Sequence, residues 1–239
     1  MTLYEKAWQA VGARVVAAAR AAGRDPGAVR VLAVSKTVPG AAIRAAYALG
    51  QRAFGENYVQ EAAAKMAELS DLATIEWHLI GPLQGNKARL AAARFAWVQT
   101  IDRAAIAQRL AAARGGGLPA LNVCIQVNIS AEANKRGCAP EDALGLAQAV
   151  ASYPRLALRG FMGMAEETSD TIRQRAQFHM LRVVYERARA SGLPVDTLSM
   201  GMSADLEAAI AEGSTLVRIG TALFGARPRT AAEPQGNPA

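Results

Sequence analysis

The stretch Val29-Arg-Val-Leu-Ala-Val-Ser-Lys36 is a short apolar run rich in β-branched residues, and it predicts a buried strand that ends in a lysine. Pro39 is typical of the start of a helix and Gly50 of its end, so a helix is expected between them. Together the run and the helix make one strand–helix unit. Repetition of this unit along the chain decides the fold.

Seven further apolar runs predict strands in addition to the first, at residues 31–35. They lie at residues 52–54, 76–80, 97–100, 122–129, 156–164, 197–200 and 216–219. Helical patterns cover residues 4–22, 58–69, 86–93, 104–114, 140–152, 170–190 and 204–212. Alternating strands and helices predict a parallel sheet, and eight units in 239 residues favour a single closed (β/α)8 barrel with an extra N-terminal helix.

An open, doubly wound sheet is the alternative architecture. The glycine fingerprint of dinucleotide-binding sheets is missing, however, because Gly115-Gly116-Gly117 follows no predicted strand. The barrel is expected to occupy residues 1–227 as one domain. Residues 228–239 are rich in proline, glycine and alanine, and we expect a disordered tail there.

Composition excludes several classes of function. The formal net charge is +7, but the basic residues are spread along helical patterns, so no nucleic-acid partner is expected. Charges such as Glu5, Lys6 and Arg14 interrupt the first apolar stretch, and no run of 18 apolar residues occurs. A cytoplasmic protein without a membrane span or signal peptide is therefore expected. The spacing of the two cysteines and two histidines matches no metal site.

Lys36 is the first candidate for chemistry, because functional sites of such barrels lie at the C-terminal ends of the strands. A strand-end lysine is most often solvated. Apolar surroundings disfavour the ammonium form, however, and a neutral amine can attack an aldehyde to form a Schiff base.

Two segments near the C-terminus predict a phosphate site. Ser199-Met-Gly-Met-Ser203 follows the seventh predicted strand and Arg218-Ile-Gly-Thr221 ends the eighth, and these two loops of a barrel often bind phosphate. The candidate ligands are Ser199, Gly201, Ser203, Gly220 and Thr221. The alternatives are a helix cap for Ser203 and tight turns for the glycines.

Three other polar residues stand in or after apolar strands. Arg218 needs an acceptor, which is either a carboxylate or a ligand atom such as a pyridine nitrogen. Asn57 can donate to an oxygen derived from an aldehyde, or it can cap a helix. His78 is alone in its strand and is typical of a core histidine with satisfied hydrogen bonds.

Several blocks of the sequence resemble the pyridoxal-phosphate homeostasis protein family. They are Ala33-Val-Ser-Lys-Thr37, Phe54-Gly-Glu-Asn-Tyr-Val-Gln-Glu61, Trp77-His-Leu-Ile-Gly-Pro-Leu-Gln84 with Asn86-Lys87, Asn128-Ile-Ser130 with Lys135 and Gly137, Ser199-Met-Gly-Met-Ser203 with Asp205, and Arg218-Ile-Gly-Thr-Ala-Leu-Phe-Gly225. The resemblance runs in order from about residue 29 to 227. This family is similar to the barrel domain of bacterial alanine racemase and eukaryotic ornithine decarboxylase, without their second domain.

The resemblance implies the cofactor and its ligands. Lys36 would carry pyridoxal 5'-phosphate (PLP) as a Schiff base, and Arg218 would face the pyridine nitrogen. The phosphate would be held by Ser199, Ser203, Gly220 and Thr221, partly through backbone amides, with Asn57 and His78 near the ring. The chain departs from the family pattern at Val38, where many relatives have lysine, and at Met162-Gly-Met-Ala165.

The function implied is intracellular PLP homeostasis by a monomer that supplies the cofactor to apo-enzymes without catalysis of its own. The alternative is a PLP-dependent amino-acid racemase, which needs a second acid/base on the opposite face of the substrate. In the racemases this second acid/base is a tyrosine of the second domain, and Tyr58 is a conceivable substitute for it here. A cofactor-free aldolase using Lys36, with Glu56 as its acid/base, is the third possibility.

Overall fold

The computed structural model of the protein describes residues 3–130 and 135–225. Its strands are β1 Arg30–Val34, β2 Ala53–Glu56, β3 Glu76–Leu79, β4 Trp97–Ile101, β5 Leu121–Val127, β6 Leu156–Gly163, β7 Thr197–Ser199 and β8 Leu216–Ile219. Its α-helices are α1 Leu3–Ala21, α2 Gly40–Ala48, α3 Val59–Glu68, α4 Ala88–Arg94, α5 Ala104–Ala113, α6 Ala143–Ala151, α7 Thr171–Ala190, α8 Leu206–Ala211 and α9 Thr221–Phe224. Short 3-10 helices occupy Pro26–Ala28 and Gly85–Lys87.

The eight strands close into a parallel barrel. Each strand pairs with the next in sequence order, and β8 pairs with β1 so that Val31 lies opposite Val217. Closure leaves no strand edge open to solvent, and it brings all the C-terminal strand ends to one face. The predicted (β/α)8 barrel is confirmed, and the alternative of an open sheet is wrong.

The predicted N-terminal helix is also confirmed, and it packs against α8 and α9. The Trp8 ring of α1 meets the Phe224 ring of α9 edge to face, with centroids 5.8 Å apart. Arg14 of α1 donates to both carboxylate oxygens of Glu207 in α8 and to the Ser203 carbonyl at 3.0 Å. The extra helix therefore supports the loop that follows β7.

The boundaries differ from the prediction by a few residues at several elements. The second strand extends to Glu56, whereas residues 52–54 were expected, and α8 begins at Leu206, with Asp205 as the residue before it. The four-residue helix α9 is not in the prediction, because one helical turn is too short to produce a periodic pattern.

The predicted tail at residues 228–239 lies outside the described residues. Within residues 3–130 and 135–225, none of the helices combines the length and apolar character that crossing a membrane requires.

Candidate functional site

A cavity of about 330 Å³ opens at the C-terminal ends of the strands. It is lined by Val34, Lys36, Asn57, Ile80, Gly81, Pro82, Met164, Met202, Ser203, Ala204, Arg218, Gly220 and Thr221. Six of the nine residues predicted from the sequence are in this set: Lys36, Asn57, Ser203, Arg218, Gly220 and Thr221. Larger clefts of about 460 and 480 Å³ beside α5 contain none of the nine.

The backbone on both sides of Lys36 is held by polar contacts, which are buried before it and exposed after it. Before it, the Ser35 hydroxyl donates to Glu56 Oε1 at 2.6 Å, and the Ser35 carbonyl accepts from Lys65 Nζ at 2.7 Å. After it, the Thr37 N–H donates to Glu61 Oε1 at 2.7 Å. Thr37 has a φ of 62°, a left-handed conformation that is costly for a β-branched residue. These contacts fix the point from which the Lys36 side chain enters the cavity.

Glu56 serves this support rather than the cavity. Its carboxylate is fully buried and accepts from Lys65 Nζ at 2.9 and 3.1 Å. Burial raises the pKa of Glu56, and the contacts with Ser35 and Lys65 oppose that rise. Glu56 does not line the cavity, so the arrangement does not favour an aldolase in which this carboxylate works beside Lys36.

Arg218 reaches the cavity from β8 and is held from behind. Its Nη1 donates to the Ser199 carbonyl at 2.7 Å and the Ser199 hydroxyl at 2.8 Å, and its Nη2 donates to the Gly163 carbonyl at 2.8 Å. Burial lowers the pKa of Arg218 to about 10, with the nearby negative charge of Asp205 opposing the shift, so the side chain remains a cation at neutral pH. Three of its five N–H groups make these bonds, which leaves donors for an acceptor in the cavity.

Ser203, Gly220 and Thr221 form the side of the cavity next to β7 and β8. Gly220 precedes α9, and the first N–H groups of a helix have no acceptor within that helix. Ser203 is not the helix cap, because Asp205 takes that position before α8 and its carboxylate accepts from the Met202 N–H at 2.5 Å. Hydroxyl and backbone donors in this arrangement match the oxygens of a phosphate.

Asn57 lies between β2 and α3, where the loop after β3 presses against it. It is not a helix cap, since Tyr58 occupies that position before α3. A Cβ added to Gly81 would lie 2.1 Å from the Asn57 carbonyl oxygen. Only glycine at residue 81 allows the two loops to approach this closely, so Gly81 determines where Asn57 meets the cavity.

Ser199, His78 and Gly201 are predicted ligands that do not line the cavity. Ser199 and His78 are fully buried below it, and His78 is stacked on Trp97 with centroids 5.0 Å apart. Gly201 has a φ of 95°, and a Cβ there would lie 2.6 Å from Cβ of Ala209. Backbone conformation and packing on α8 therefore require this glycine. None of these three residues is part of the cavity lining, so their role as ligands stays a prediction.

Several contributors to the site were missed from the sequence. Gln99 of β4 is fully buried and bonds to both Ser199 and His78. A lone glutamine in an apolar strand was the available signal.

Met164 and Met202 line the cavity and are 36% and 40% exposed, so its rim is apolar and flexible in shape. Across the part of the chain that is described, no three histidine, cysteine or carboxylate side chains cluster as metal ligands would.

Comparison with known proteins places this geometry in a family. The family model for the alanine racemase N-terminal domain matches residues 9–228. The pyridoxal phosphate homeostasis protein of Pseudomonas aeruginosa is 59% identical over 91% of this chain and 93% of its own length. The protein of the same name from Escherichia coli is 50% identical over 90% of this chain and 92% of its own.

Solved structures agree with the sequence relatives. PipY of Synechococcus elongatus, solved with PLP bound, is 40% identical, has a TM-score of 0.77 and is matched over 90% of this chain and all of its own. Alanine racemase of Corynebacterium glutamicum is 20% identical with a TM-score of 0.67, and its match covers 94% of this chain and 63% of the racemase, which shows the fold alone. The chain belongs to the pyridoxal phosphate homeostasis protein family, within the alanine racemase N-terminal domain fold.

Proposed function

We propose that the protein binds PLP in the 330 Å³ cavity as a Schiff base on Lys36 and supplies it to apo-enzymes without catalysis of its own. The observation that carries this proposal is the composition of the cavity. The cavity combines Lys36 with Arg218, which has N–H donors left for a ligand. The loops after β7 and β8 add hydroxyl and backbone donors that suit a phosphate. The names of the relatives and the PLP bound to PipY support the choice of cofactor.

When bound, PLP supplies a reactive aldehyde and an electron-withdrawing ring. Lys36 Nζ would hold the cofactor through a Schiff base to that aldehyde carbon, with one water released. Release to a lysine of a recipient enzyme would return Nζ to the free amine, with no oxidation or reduction. Ser203, Gly220 and Thr221 would hold the phosphate, and Arg218 would donate to the ring nitrogen. A ring nitrogen that accepts from arginine stays unprotonated, which weakens the ring as an electron sink.

The same cavity argues against turnover. Among the described residues that line it, Lys36 and Arg218 are the only ionisable side chains. Tyr58, the conceivable second base of a racemase, is 55% exposed and faces a neighbouring cleft of about 230 Å³. Racemisation by two bases needs an acid/base on each face of the substrate carbon, so the site lacks one of them.

Borohydride trapping tests the site and the linkage together. Reduction of the PLP-loaded protein is expected to abolish the imine absorbance and leave the label on the Lys36 peptide. Lys36→Ala should lose that absorbance while keeping the circular dichroism spectrum of the fold. Lys87→Ala is the matched control, because Lys87 is half-buried in the neighbouring cleft and outside this cavity. Label on another lysine would overturn the proposal.

Delivery and the absence of turnover need a second assay. Loaded protein should restore activity to an apo-transaminase while a phosphatase destroys free PLP in the same solution. Arg218→Ala should weaken PLP retention, and an unchanged affinity would show that this arginine is structural. Amino-acid racemisation faster than the rate with free PLP would instead support the enzyme alternative.

A further inference from the structure

Behind Arg218, a chain of hydrogen bonds crosses the interior of the barrel. The Ser199 hydroxyl accepts from Arg218 Nη1 at 2.8 Å and donates to Gln99 Oε1 at 2.6 Å. Gln99 belongs to β4 and Ser199 to β7, two strands that are not neighbours in the barrel. Their side chains therefore meet across the barrel interior, where both residues are fully buried.

The chain continues toward the N-terminal end of the barrel. Gln99 Nε2 lies 2.9 Å from His78 Nδ1, and His78 Nε2 lies 2.8 Å from Glu76 Oε1. Arg30 Nη2 donates to the same Glu76 oxygen at 2.7 Å. The bonds thus form an unbroken path from the cavity to a carboxylate at the opposite end of the barrel.

With His78 neutral, as burial favours by lowering its pKa, the chemistry at the two ends fixes the direction of every bond in this path. Arginine can only donate, so the Ser199 oxygen accepts from Arg218 and its proton goes to Gln99 Oε1. Gln99 must then present its NH₂ group to His78, whose Nδ1 accepts. His78 consequently carries its proton on Nε2 and donates it to the Glu76 carboxylate, which is the acceptor the other end requires.

We propose that Gln99, with Ser199 and His78, is a positioning residue that orients the Arg218 guanidinium toward the ring nitrogen of PLP. The Ser199 hydroxyl oxygen is one of three acceptors that hold the guanidinium. Its lone pair faces Arg218 only while Gln99 accepts the hydroxyl proton. The two arginine donors that remain can then point into the cavity. This inference rests on the proposed PLP site and adds a role for buried residues that do not touch the cofactor.

Breaking the chain in the middle separates positioning from packing. Gln99→Leu removes both amide contacts, and Gln126→Leu is the matched control. Gln126 is a glutamine of the adjacent strand β5 and is 3% exposed. Its amide bonds to the Arg136 carbonyl, which is not part of this chain of hydrogen bonds. Ser199→Ala cuts the link next to Arg218, whereas Ser199→Thr keeps the hydroxyl and should restore it.

The expected result has two parts, a change in affinity and a change in the spectrum of the bound cofactor, and lost packing alone would not produce both. Gln99→Leu and Ser199→Ala should still trap PLP on Lys36, but with a dissociation constant raised about tenfold. They should also shift the absorbance maximum of the bound cofactor and its pH midpoint, because the ring nitrogen loses its oriented donor. Gln126→Leu should change neither, and Ser199→Thr should resemble the wild type. Equal effects of Gln99→Leu and Gln126→Leu, or an unchanged spectrum in Gln99→Leu, would overturn the proposal.

A measurement on the PLP-free protein tests the chain independently of cofactor binding. Nitrogen-15 NMR should find His78 neutral, protonated at Nε2 and unprotonated at Nδ1, and Gln99→Leu should lose the Nδ1 hydrogen-bond shift. A proton on Nδ1 in the wild type would refute the chain even if PLP binds at Lys36. The expected tautomer combined with trapping on a different lysine would refute the proposed PLP site, and with it the role of the chain toward PLP.

Discussion

Replacing Lys65 with methionine should strongly destabilise the protein, because it removes the cation that pairs with the buried Glu56 carboxylate. Lys65 Nζ donates to both Glu56 oxygens, to the Ser35 carbonyl and to Glu61 Oε1, all between 2.7 and 3.1 Å. Methionine keeps most of the apolar stem of lysine, so the variant removes charge and hydrogen bonds rather than volume. Glu56 would then favour its protonated form in the folded state.

The magnitude follows from the cost of that protonation. A carboxyl group with an unfolded pKa of about 4.3 takes up a proton at pH 7 at a cost of about 1.4 kcal/mol for each of about 2.7 pH units, or about 4 kcal/mol. Breaking buried ion pairs typically costs about 3–5 kcal/mol, which agrees. Burial holds the pKa of Glu56 above its unfolded value. The contribution of the protonated carboxyl group to the free energy of unfolding is therefore present at low pH and is lost as pH rises. Lowering the pH from 7 to 5 should therefore recover part of that cost in the variant.

Urea denaturation at pH 7 and pH 5, followed by circular dichroism, measures both quantities. Lys6→Met on the exposed surface of α1 is the control and should change the free energy of unfolding by less than about 0.5 kcal/mol. A loss below about 1 kcal/mol at pH 7, or an equal loss at both pH values, would refute the reasoning.

Two further predictions concern the cavity loops and the thiols. In Gly81→Ala, the new Cβ must displace the Asn57 carbonyl, so an absorbance titration should show PLP affinity at least about tenfold weaker, whereas Gly145→Ala, which has open space, should bind normally. Burial raises the pKa of Cys124 to about 12 and that of Cys138 to about 11. Both thiols should thus react slowly with an aromatic disulfide reagent at pH 8 until urea unfolds the chain, and a fast native reaction would contradict this.

The fold could be predicted from local patterns alone. Eight apolar runs separated by helical periodicity describe strand–helix units, and all eight strands occur where they were expected, within a few residues. The errors fall at element ends, where local signals are weak. Helix α9 was missed because one turn gives no periodicity, and α8 begins two residues late because Asp205 precedes it in a non-helical conformation.

The candidate site was only partly predictable. Lys36 and Thr221 follow strand ends, where the barrel architecture places functional residues, and both line the cavity. Ser199 belongs to one of the same motifs, yet its side chain points into the barrel interior and bonds to Gln99. Sequence motifs identify neighbours along the chain, but whether a strand residue faces a ligand depends on its depth within the barrel.

The sequence by itself determined the number and order of the strand–helix units and the position of Lys36 just after the first strand. It could do so because hydrophobic periodicity and the residues that end strands and helices act locally. Only the tertiary structure decided which polar side chains meet. Ser199 and Gln99 are 100 residues apart, and Arg218 and Gly163 are 55 apart. Closure of the barrel brings them into contact, because each buried polar group must find its partner among whatever side chains the other strands turn inward.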